Sequence, residues 1–347
     1  MAKRLGIPLD AWPAADRARW EQSFAASSLF DEHASCANWR PATRRQARYA
    51  YGRWLGYLNA TEPAALHDAP AARVTKERTR VYFEWCEGRL SAMGLAAEIQ
   101  HLLLALRALE PTVDWSWLRS WQASVQRRAR PRDKREKLVD AARLWQLGLA
   151  LMDSATQQTR AREAARQYRD GLIIAVLVAR PLRRGSFAAL DVGTHLITAT
   201  TGYVIELRGE ETKNGQPVDF QLPAALTIYI DRYLKEIRPR FRGHAESPAL
   251  WLSSKGGRLV DDAIHGIITR RTKAAFGIAI YPHLFRDIAA TAIARAHPDA
   301  LGLARDLLTH TNVETTANSY TQAKTSEASR QYASIIESRR QGRGKTR

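Results

Sequence analysis

Basic side chains stand at the ends of elements in the second half of this 347-residue sequence. In "ARPLRRGSFAALD" (179–191), Arg183 and Arg184 follow a long apolar run and a proline. An arginine fixed there by buried neighbours is a rigid, permanently charged fork that suits a phosphate group. Lys213 precedes Asn214-Gly215, a hairpin-turn pair, and a lysine at a hairpin tip titrates readily when it is desolvated. Both segments therefore predict cationic groups directed at an anion.

Two later segments add histidines, a further arginine and a tyrosine. "YPHLFRD" places His283 and Arg286 three positions apart, on one face of a helix that begins there. "LTHTNVETTANSYT" contains His310 and Tyr320 in a run of small polar residues. A tyrosine hydroxyl becomes a nucleophile only where nearby groups accept its proton and hold the charge that develops. Each segment alone is a weak signal, so the hypothesis of a reactive tyrosine depends on all of them together.

The candidates occur in a characteristic order along the chain: Arg183, Lys213, His283, Arg286, His310 and Tyr320. This order resembles that of the tyrosine recombinase (phage integrase) family, whose catalytic domain carries Arg, a hairpin Lys, His-x-x-Arg, His or Trp, and then Tyr. The strings around these residues are similar to the family's boxes, namely "PLRRGSFAAL", "HLFRDIAATAIA" and "LLTHTNVETTANSYT". The resemblance covers roughly residues 140–335, and the helical part before them looks like the family's core-binding domain.

The sequence departs from the family pattern at a few positions. Ser186 stands where the family usually has an acidic residue, and Asp287 stands where it often has His. The interval from His310 to Tyr320 is one residue longer than usual. The six candidate residues are nevertheless all present.

The resemblance implies a site-specific DNA recombinase or integrase, of a phage or other mobile element, that works without metal, ATP or any cofactor. Tyr320 would attack the phosphodiester to form a 3′-phosphotyrosyl link, His283 would accept its proton, and Lys213 would protonate the departing 5′-oxygen. The non-bridging oxygens would be held by Arg183, Arg286 and His310. In agreement, "SKGGR" lacks the spacing of a Walker glycine loop, and the aspartates form no convincing two-metal set.

Two alternatives stay open on the sequence alone. A type IB topoisomerase-like enzyme uses a similar residue set and would relax supercoiled DNA as a monomer. A catalytically inactive DNA-binding protein of recombinase descent would keep the fold, and Ser186 and the longer His310–Tyr320 interval are compatible with it. Tyr332 is the only other nearby tyrosine that could replace Tyr320, and its setting is more apolar.

The composition favours a nucleic-acid partner. Lys and Arg outnumber Asp and Glu by 53 to 35, a net charge of +18, which predicts a polyanionic partner, most strongly a nucleic acid. The resemblance implies that this partner is double-stranded DNA with specific recombination sites. Cys36 and Cys86 predict neither a disulfide framework nor a zinc cluster, so we expect the cytoplasm, in association with the nucleoid. The N-terminal residues do not read as a secretory signal, and we expect no membrane-spanning stretch and no membrane partner.

The elements before the basic segment are predicted to be helical. Nine of the ten tryptophans lie at or before Trp145, which indicates two differently built parts. Residues 1–124 are predicted to form a helical DNA-binding domain of core-binding type, with Thr75 as an N-cap. Helical periodicity occurs over 44–60, 75–94 and 95–110.

The later part is predicted to be mainly α with a small antiparallel β-sheet, an α+β tyrosine-recombinase catalytic domain over residues 139–340. Alternating β-rich runs at 195–207 and 217–222 predict the sheet. A helix over 261–276 is expected to begin with Asp261 or Asp262 as its cap. A basic tail follows at 341–347.

A basic linker is predicted at 125–138, with Pro131 interrupting any helix. It reads equally as a solvated linker or as one that follows a phosphate backbone. The candidate DNA-binding residues are Arg127, Arg128, Arg130, Arg132, Lys134 and Arg135.

The segment after Tyr320 bears on assembly. In the family a helix like the one predicted at 328–336 packs on a neighbouring protomer, whereas an intramolecular lid is equally compatible with this sequence. We expect a synaptic tetramer on DNA, with accessory DNA-bending proteins as further candidate partners.

Overall fold

The chain forms two compact units, Met1–Arg132 and Asp133–Arg347, and each has its own hydrophobic core. The computed structural model describes residues 6–25, 36–129, 137–212 and 215–296. The division between the units falls within the segment predicted as a linker, 125–138.

Helices make up the described part of the first unit. They are α1 (Ala14–Gln22), α2 (Pro41–Thr61), α3 (Pro70–Arg73), α4 (Lys76–Glu87), α5 (Ala92–Leu109) and α6 (Ser116–Arg128). Thr75 Oγ1 accepts a hydrogen bond from the Arg78 backbone N–H at 3.2 Å, which confirms the predicted N-cap. Ser91 caps α5 in the same way, so the predicted run 75–94 contains a turn between two helices.

Aromatic side chains fill much of the first core. Trp54 is fully buried, and its ring meets that of Tyr82 edge to face, with centroids 5.1 Å apart and planes at 70°. This arrangement is favoured because the positive edge of one ring faces the negative surface of the other. A buried ion pair joins Arg73 to Asp16, which also accepts a hydrogen bond from the Tyr51 hydroxyl at 2.8 Å.

Helix α5 is the most apolar helix of this unit. Its 18 residues are long and apolar enough, by length and composition alone, to cross a bilayer, although the sequence led us to expect no such stretch. However, 56% of the helix is buried inside the unit, as in the central helix of a bundle. The apolar character of α5 is therefore explained by its burial in the core of the first unit.

The second unit begins with a tight helix pair. Its helices are α7 (Ala141–Ala155), α8 (Ala161–Ala179), α9 (Arg184–Ala188), α10 (Thr227–Arg232), α11 (Asp261–Phe276) and α12 (Leu284–Ala296). Where α7 and α8 cross, a Cβ atom on Gly171 would lie 2.6 Å from the carbonyl oxygen of Gly148, so the close approach requires glycine there. The crossing holds α8 in the core, and the end of α8 leads directly to Arg183.

The sheet of the second unit has the predicted form. Strands β1 (Leu196–Ala199), β2 (Gly202–Leu207) and β3 (Val218–Gln221) form a three-stranded antiparallel sheet in the order β1-β2-β3. Gly202 has a φ of +109° at the β1–β2 turn, a conformation that favours glycine. The fold class, mainly α with one small antiparallel sheet, is confirmed.

Two local expectations differ from the structure. Val260, not an aspartate, occupies the N-cap of α11, and the carboxylates of Asp261 and Asp262 pair with Arg184 instead, so the predicted cap is wrong. The run "ALWLSSKGG" (249–257) predicts a short strand and a turn, and the structure instead has isolated bridges there, Asp191 with Ala249 and Leu252 with Arg258. For the cap, the ion pairs with Arg184 outweigh the local preference.

Candidate active site

Arg183 lies between α8 and α9, where the chain leaves the core. Leu182 before it is buried, and Arg183 itself is the half-buried N-cap residue of α9. Burial lowers the pKa of the Arg183 guanidinium, because desolvation disfavours its charged form. No carboxylate in residues 6–25, 36–129, 137–212 or 215–296 forms an ion pair with it. The charge of Arg183 is therefore held at the surface of the unit without a compensating acid from these residues.

The neighbouring Arg184 has a different environment. Its guanidinium pairs with Asp261 Oδ2 at 2.9 Å and with Asp262 Oδ1 at 3.1 Å, both in the first turn of α11. These contacts fix the start of α9 against α11 and compensate the charge of Arg184. Of the two adjacent arginines, the structure thus leaves Arg183 as the better candidate for an external anion.

Arg286 lies in the first turn of α12, and its guanidinium reaches the segment that carries Arg183. Its Nη1 donates a hydrogen bond to the carbonyl oxygen of Pro181 at 2.8 Å. Burial, and then the positive charge of Arg183, lower the pKa of Arg286 to about 10, while Asp287 acts in the opposite direction. The structure therefore brings together two predicted arginines from distant parts of the sequence.

His283 immediately precedes α12 and has an exposed side chain. Its ring stacks with Tyr281 at a centroid distance of 5.9 Å and an interplanar angle of 16°. Tyr281 in turn stacks with His265 of α11 at 5.4 Å and 7°. Lys137 Nζ lies 5.0 Å from the centroid of the Tyr281 ring. The candidate proton acceptor is thus part of an aromatic stack next to the arginine-bearing helix.

The hairpin between β2 and β3 is held just before Lys213. The His195 Nε2 atom lies 2.8 Å from Glu211 Oε1, and His195 Nδ1 accepts from the Asp191 backbone N–H at 2.9 Å. The latter bond leaves the ring proton on Nε2, where it is donated to Glu211. Ser186 Oγ donates to the Glu211 carbonyl oxygen at 3.3 Å. The hairpin therefore contacts the segment that follows Arg183.

Several predicted residues lie outside the described residues. In the proposed catalytic set these are Lys213, His310 and Tyr320, and in the predicted linker they are Arg130, Arg132, Lys134 and Arg135. Arg127 and Arg128 are described: α6 extends through them, and both are exposed in its last turn.

Sequence reasoning missed the residues that support the candidates. For Tyr281 and His265 the only signal was an aromatic residue two positions before His283. For His195 and Glu211 there was none, because their contact joins two segments that only folding brings together. Nor did the order of residues indicate that Asp261 and Asp262 would hold Arg184.

The electrostatics of the arrangement favour an anion. Arg183 and Arg286 bring like charges into a half-buried setting, and Asp287 offsets only part of the cost to Arg286, so a further negative group beside them would be favourable. Within the part of the chain that the structure describes, no group of three or more His, Cys, Asp or Glu side chains is placed to hold a metal ion.

Solved structures of site-specific recombinases share the architecture of this chain. The XerH site-specific recombinase bound to its difH substrate, in a pre-cleavage complex, is 16% identical; the match covers 83% of this chain and 78% of that chain, with a TM-score of 0.56. A lambda integrase dimer bound to a COC′ core site is 14% identical, and the match covers 88% of this chain and 94% of that one, with a TM-score of 0.53. This chain has the tyrosine recombinase fold.

The tyrosine recombinase fold extends over both units. A post-cleavage complex of XerH with palindromic difH, 16% identical, matches over 93% of this chain and 95% of that chain, with a TM-score of 0.56. No protein-family model and no curated protein sequence matches the chain. The likeness therefore concerns the fold, and it confirms the resemblance to tyrosine recombinases at that level.

Proposed function

We propose that this chain is a site-specific DNA recombinase that cleaves and rejoins DNA strands through a 3′-phosphotyrosyl intermediate. The observation that carries the proposal is the hydrogen bond, 2.8 Å long, from Arg286 Nη1 to the carbonyl oxygen of Pro181, which brings Arg286 to the segment that carries Arg183. The lowered pKa of Arg286, caused by burial and then by the charge of Arg183, agrees with this geometry. A half-buried pair of guanidinium groups suits the oxygens of a phosphodiester, because each planar fork can donate two parallel hydrogen bonds. The tyrosine recombinase fold supports the same conclusion.

The arginine pair would stabilise the transition state. Attack on a phosphodiester produces a pentacoordinate phosphorane with extra negative charge on its non-bridging oxygens. Arg183 and Arg286 would hold these oxygens, and His310 would add a hydrogen bond. Loss of one such donor costs about 3–4 kcal/mol of transition-state stabilisation, by analogy with loss of one donor from an oxyanion hole.

Proton transfers accompany the exchange of bonds. As the Tyr320 oxygen bonds to phosphorus, its proton passes to His283. The transfer is needed because a phenol, with a pKa of about 10, is a poor nucleophile while it is protonated. The bond from phosphorus to the 5′-oxygen breaks, and Lys213 gives that oxygen a proton. The phosphotyrosyl link retains the bond energy, so a 5′-hydroxyl of another strand can reverse the step without ATP.

The charged surface would provide DNA affinity. Arg127 and Arg128, which belong to the predicted linker 125–138, are exposed at the end of α6, and each can neutralise a phosphate. Exchange between two duplexes cuts four strands, which four copies of the chain would supply. We propose a synaptic tetramer on paired sites for this reason.

Covalent capture tests the proposal and identifies the target sequence in the same experiment. The protein is incubated with fragmented genomic DNA from its source organism, denatured, and the DNA that stays attached is sequenced. We expect attached fragments that share one sequence, a 3′-phosphate linked to Tyr320, and no adduct with Tyr320→Phe. A wild-type protein that forms no adduct refutes the proposal, and adducts that persist in Tyr320→Phe refute the choice of nucleophile.

The same experiment separates the alternatives. Supercoil relaxation by isolated monomers without sequence preference would indicate a type IB topoisomerase-like activity. Tight DNA binding with no adduct would indicate an inactive DNA-binding protein.

A further inference from the structure

The side chain of His283 is exposed, and an exposed imidazole samples several orientations unless something restricts it. A proton acceptor works only when its ring nitrogen is held within hydrogen-bond reach of the hydroxyl. The backbone of His283 is already fixed, because its carbonyl oxygen accepts from the Arg286 N–H at 3.2 Å at the start of α12. The hydrogen bond to Arg286 fixes the backbone of His283 but does not fix the orientation of its imidazole ring.

The Tyr281 ring offers a surface for the imidazole. The two rings are nearly parallel, at 16°, with centroids 5.9 Å apart, which lies within the range of favourable offset stacking. Rotation of the His283 ring out of this plane would lose the contact. Stacked aromatic pairs are stabilised beyond the area they bury, enough to favour one orientation several-fold.

Tyr281 is itself rigidly connected to the core. Ile280, the residue before it, is fully buried, and its N–H donates to the hydroxyl of buried Thr272 at 3.0 Å. The Leu284 N–H donates to the Tyr281 carbonyl oxygen at 2.9 Å. The backbone of Tyr281 is thus held on both sides, by α11 and by the first turn of α12.

His265 supports the Tyr281 ring from α11. Its ring is almost parallel to that of Tyr281, at 7°, with centroids 5.4 Å apart. It is carried between Ile264 and Ile268 along the helix, two side chains that are fully buried in the core of the unit. The stack therefore links an anchored helix to the exposed histidine.

We propose that Tyr281, supported by His265, is a positioning residue that holds the imidazole of His283 in one orientation for the proton transfer assigned to it. The inference rests on the proposed function, since it assigns to His283 the proton that Tyr320 loses as its oxygen bonds to phosphorus. Tyr281 touches neither reacting atom in this scheme, and its ring rather than its hydroxyl carries the effect.

A double-mutant cycle tests the inference on the duplex identified by covalent capture. The rate of the first cleavage is measured for wild type, Tyr281→Leu, His283→Ala and the double variant. We expect Tyr281→Leu to slow cleavage about tenfold in the wild-type background, because small misplacements of a catalytic group cost that much or more. In the His283→Ala background the same change should have no further effect, because there is no ring left to orient.

Conservative variants serve as matched controls. Tyr281→Phe and His265→Phe keep stacked rings and should cleave within about twofold of wild type, whereas His265→Ala should slow cleavage less than Tyr281→Leu does. DNA affinity and thermal stability should stay close to wild type in each single variant. Equal slowing by Tyr281→Leu in both backgrounds, or no slowing in either, overturns the inference. A wild-type rate for His283→Ala would instead refute the role of His283 in the proposed function.

Discussion

Replacement of Arg183 by glutamine should stabilise the second unit while it abolishes most of the cleavage activity. The reason lies in the environment of Arg286, whose pKa is lowered to about 10 by burial and then by the charge of Arg183. A cation with a lowered pKa in the folded state weakens folding at every pH below that value, and the penalty is relieved only as pH rises above about 10. At neutral pH the full penalty is present.

The size of the gain follows from that pKa. The lowering of the Arg286 pKa to about 10 corresponds to a penalty of roughly 3 kcal/mol, at about 1.4 kcal/mol for each pKa unit. Burial is the larger cause of this penalty and the charge of Arg183 the smaller one, while Asp287 acts in the opposite direction. After allowance for solvent screening at a half-buried site, we expect Arg183→Gln to raise the free energy of unfolding by about 1 kcal/mol.

Hydrogen exchange of peptides from α8 and α9 measures this energy in the second unit alone, in a buffer without phosphate or sulfate. Arg184→Gln is the matched control: it removes a partly exposed ion pair with Asp261 and Asp262, so it should lower stability by about 0.5 kcal/mol and retain cleavage. Arg183→Gln should cleave about 10²–10³-fold more slowly than wild type. Added phosphate should slow hydrogen exchange of these peptides more in wild type and Arg184→Gln than in Arg183→Gln.

The reasoning is refuted if Arg183→Gln destabilises the unit by more than about 1 kcal/mol, the cost of an ordinary lost hydrogen bond, since Arg183 would then be a structural residue. It is equally refuted if Arg184→Gln slows cleavage about 10²–10³-fold while Arg183→Gln retains it.

Two further predictions concern the hairpin and the linker. Glu211→Ala should slow cleavage of an ordinary duplex about tenfold, because it loosens the chain before Lys213. A duplex with sulfur in place of the bridging 5′-oxygen should restore the rate, because a thiol of pKa about 8.5 leaves without a donated proton. Glu210→Ala is the control, and equal slowing on both duplexes would contradict the explanation. Replacing Arg127 and Arg128 together by glutamine should reduce the slope of log affinity against log salt by about 2, measured by fluorescence anisotropy; an unchanged slope would remove both from the interface.

Most of the fold could be predicted because its signals are local. Helical periodicity and the Thr75 cap lie within single segments, and the alternation in 195–207 and 217–222 indicates a sheet whose strands are neighbours in sequence. The capping of α11 could not be predicted, because an aspartate before a helix is equally suited to a cap or an ion pair. Only the tertiary position of Arg184 decides between them.

The candidate catalytic residues could be predicted from the sequence, but the residues that contact and position them could not. The resemblance identified Arg183 and Arg286, and the structure places them close enough for one charge to lower the pKa of the other. The stack of His265 with Tyr281 and the contact of His195 with Glu211 each join residues from separate segments. Such contacts depend on packing and leave no period or spacing in the sequence.

Asp261 and Asp262 also set the charge count at the candidate site. Because they compensate Arg184, its charge is less available to a phosphate than that of Arg183, which forms no ion pair with a described carboxylate. A phosphodiester carries one negative charge and the phosphorane derived from it carries two. The attraction between the proposed arginine pair and the phosphate would therefore be stronger in the transition state than in the ground state. Arg184, if it were released from its aspartates, would bind intact DNA more tightly as well as the reacting phosphate.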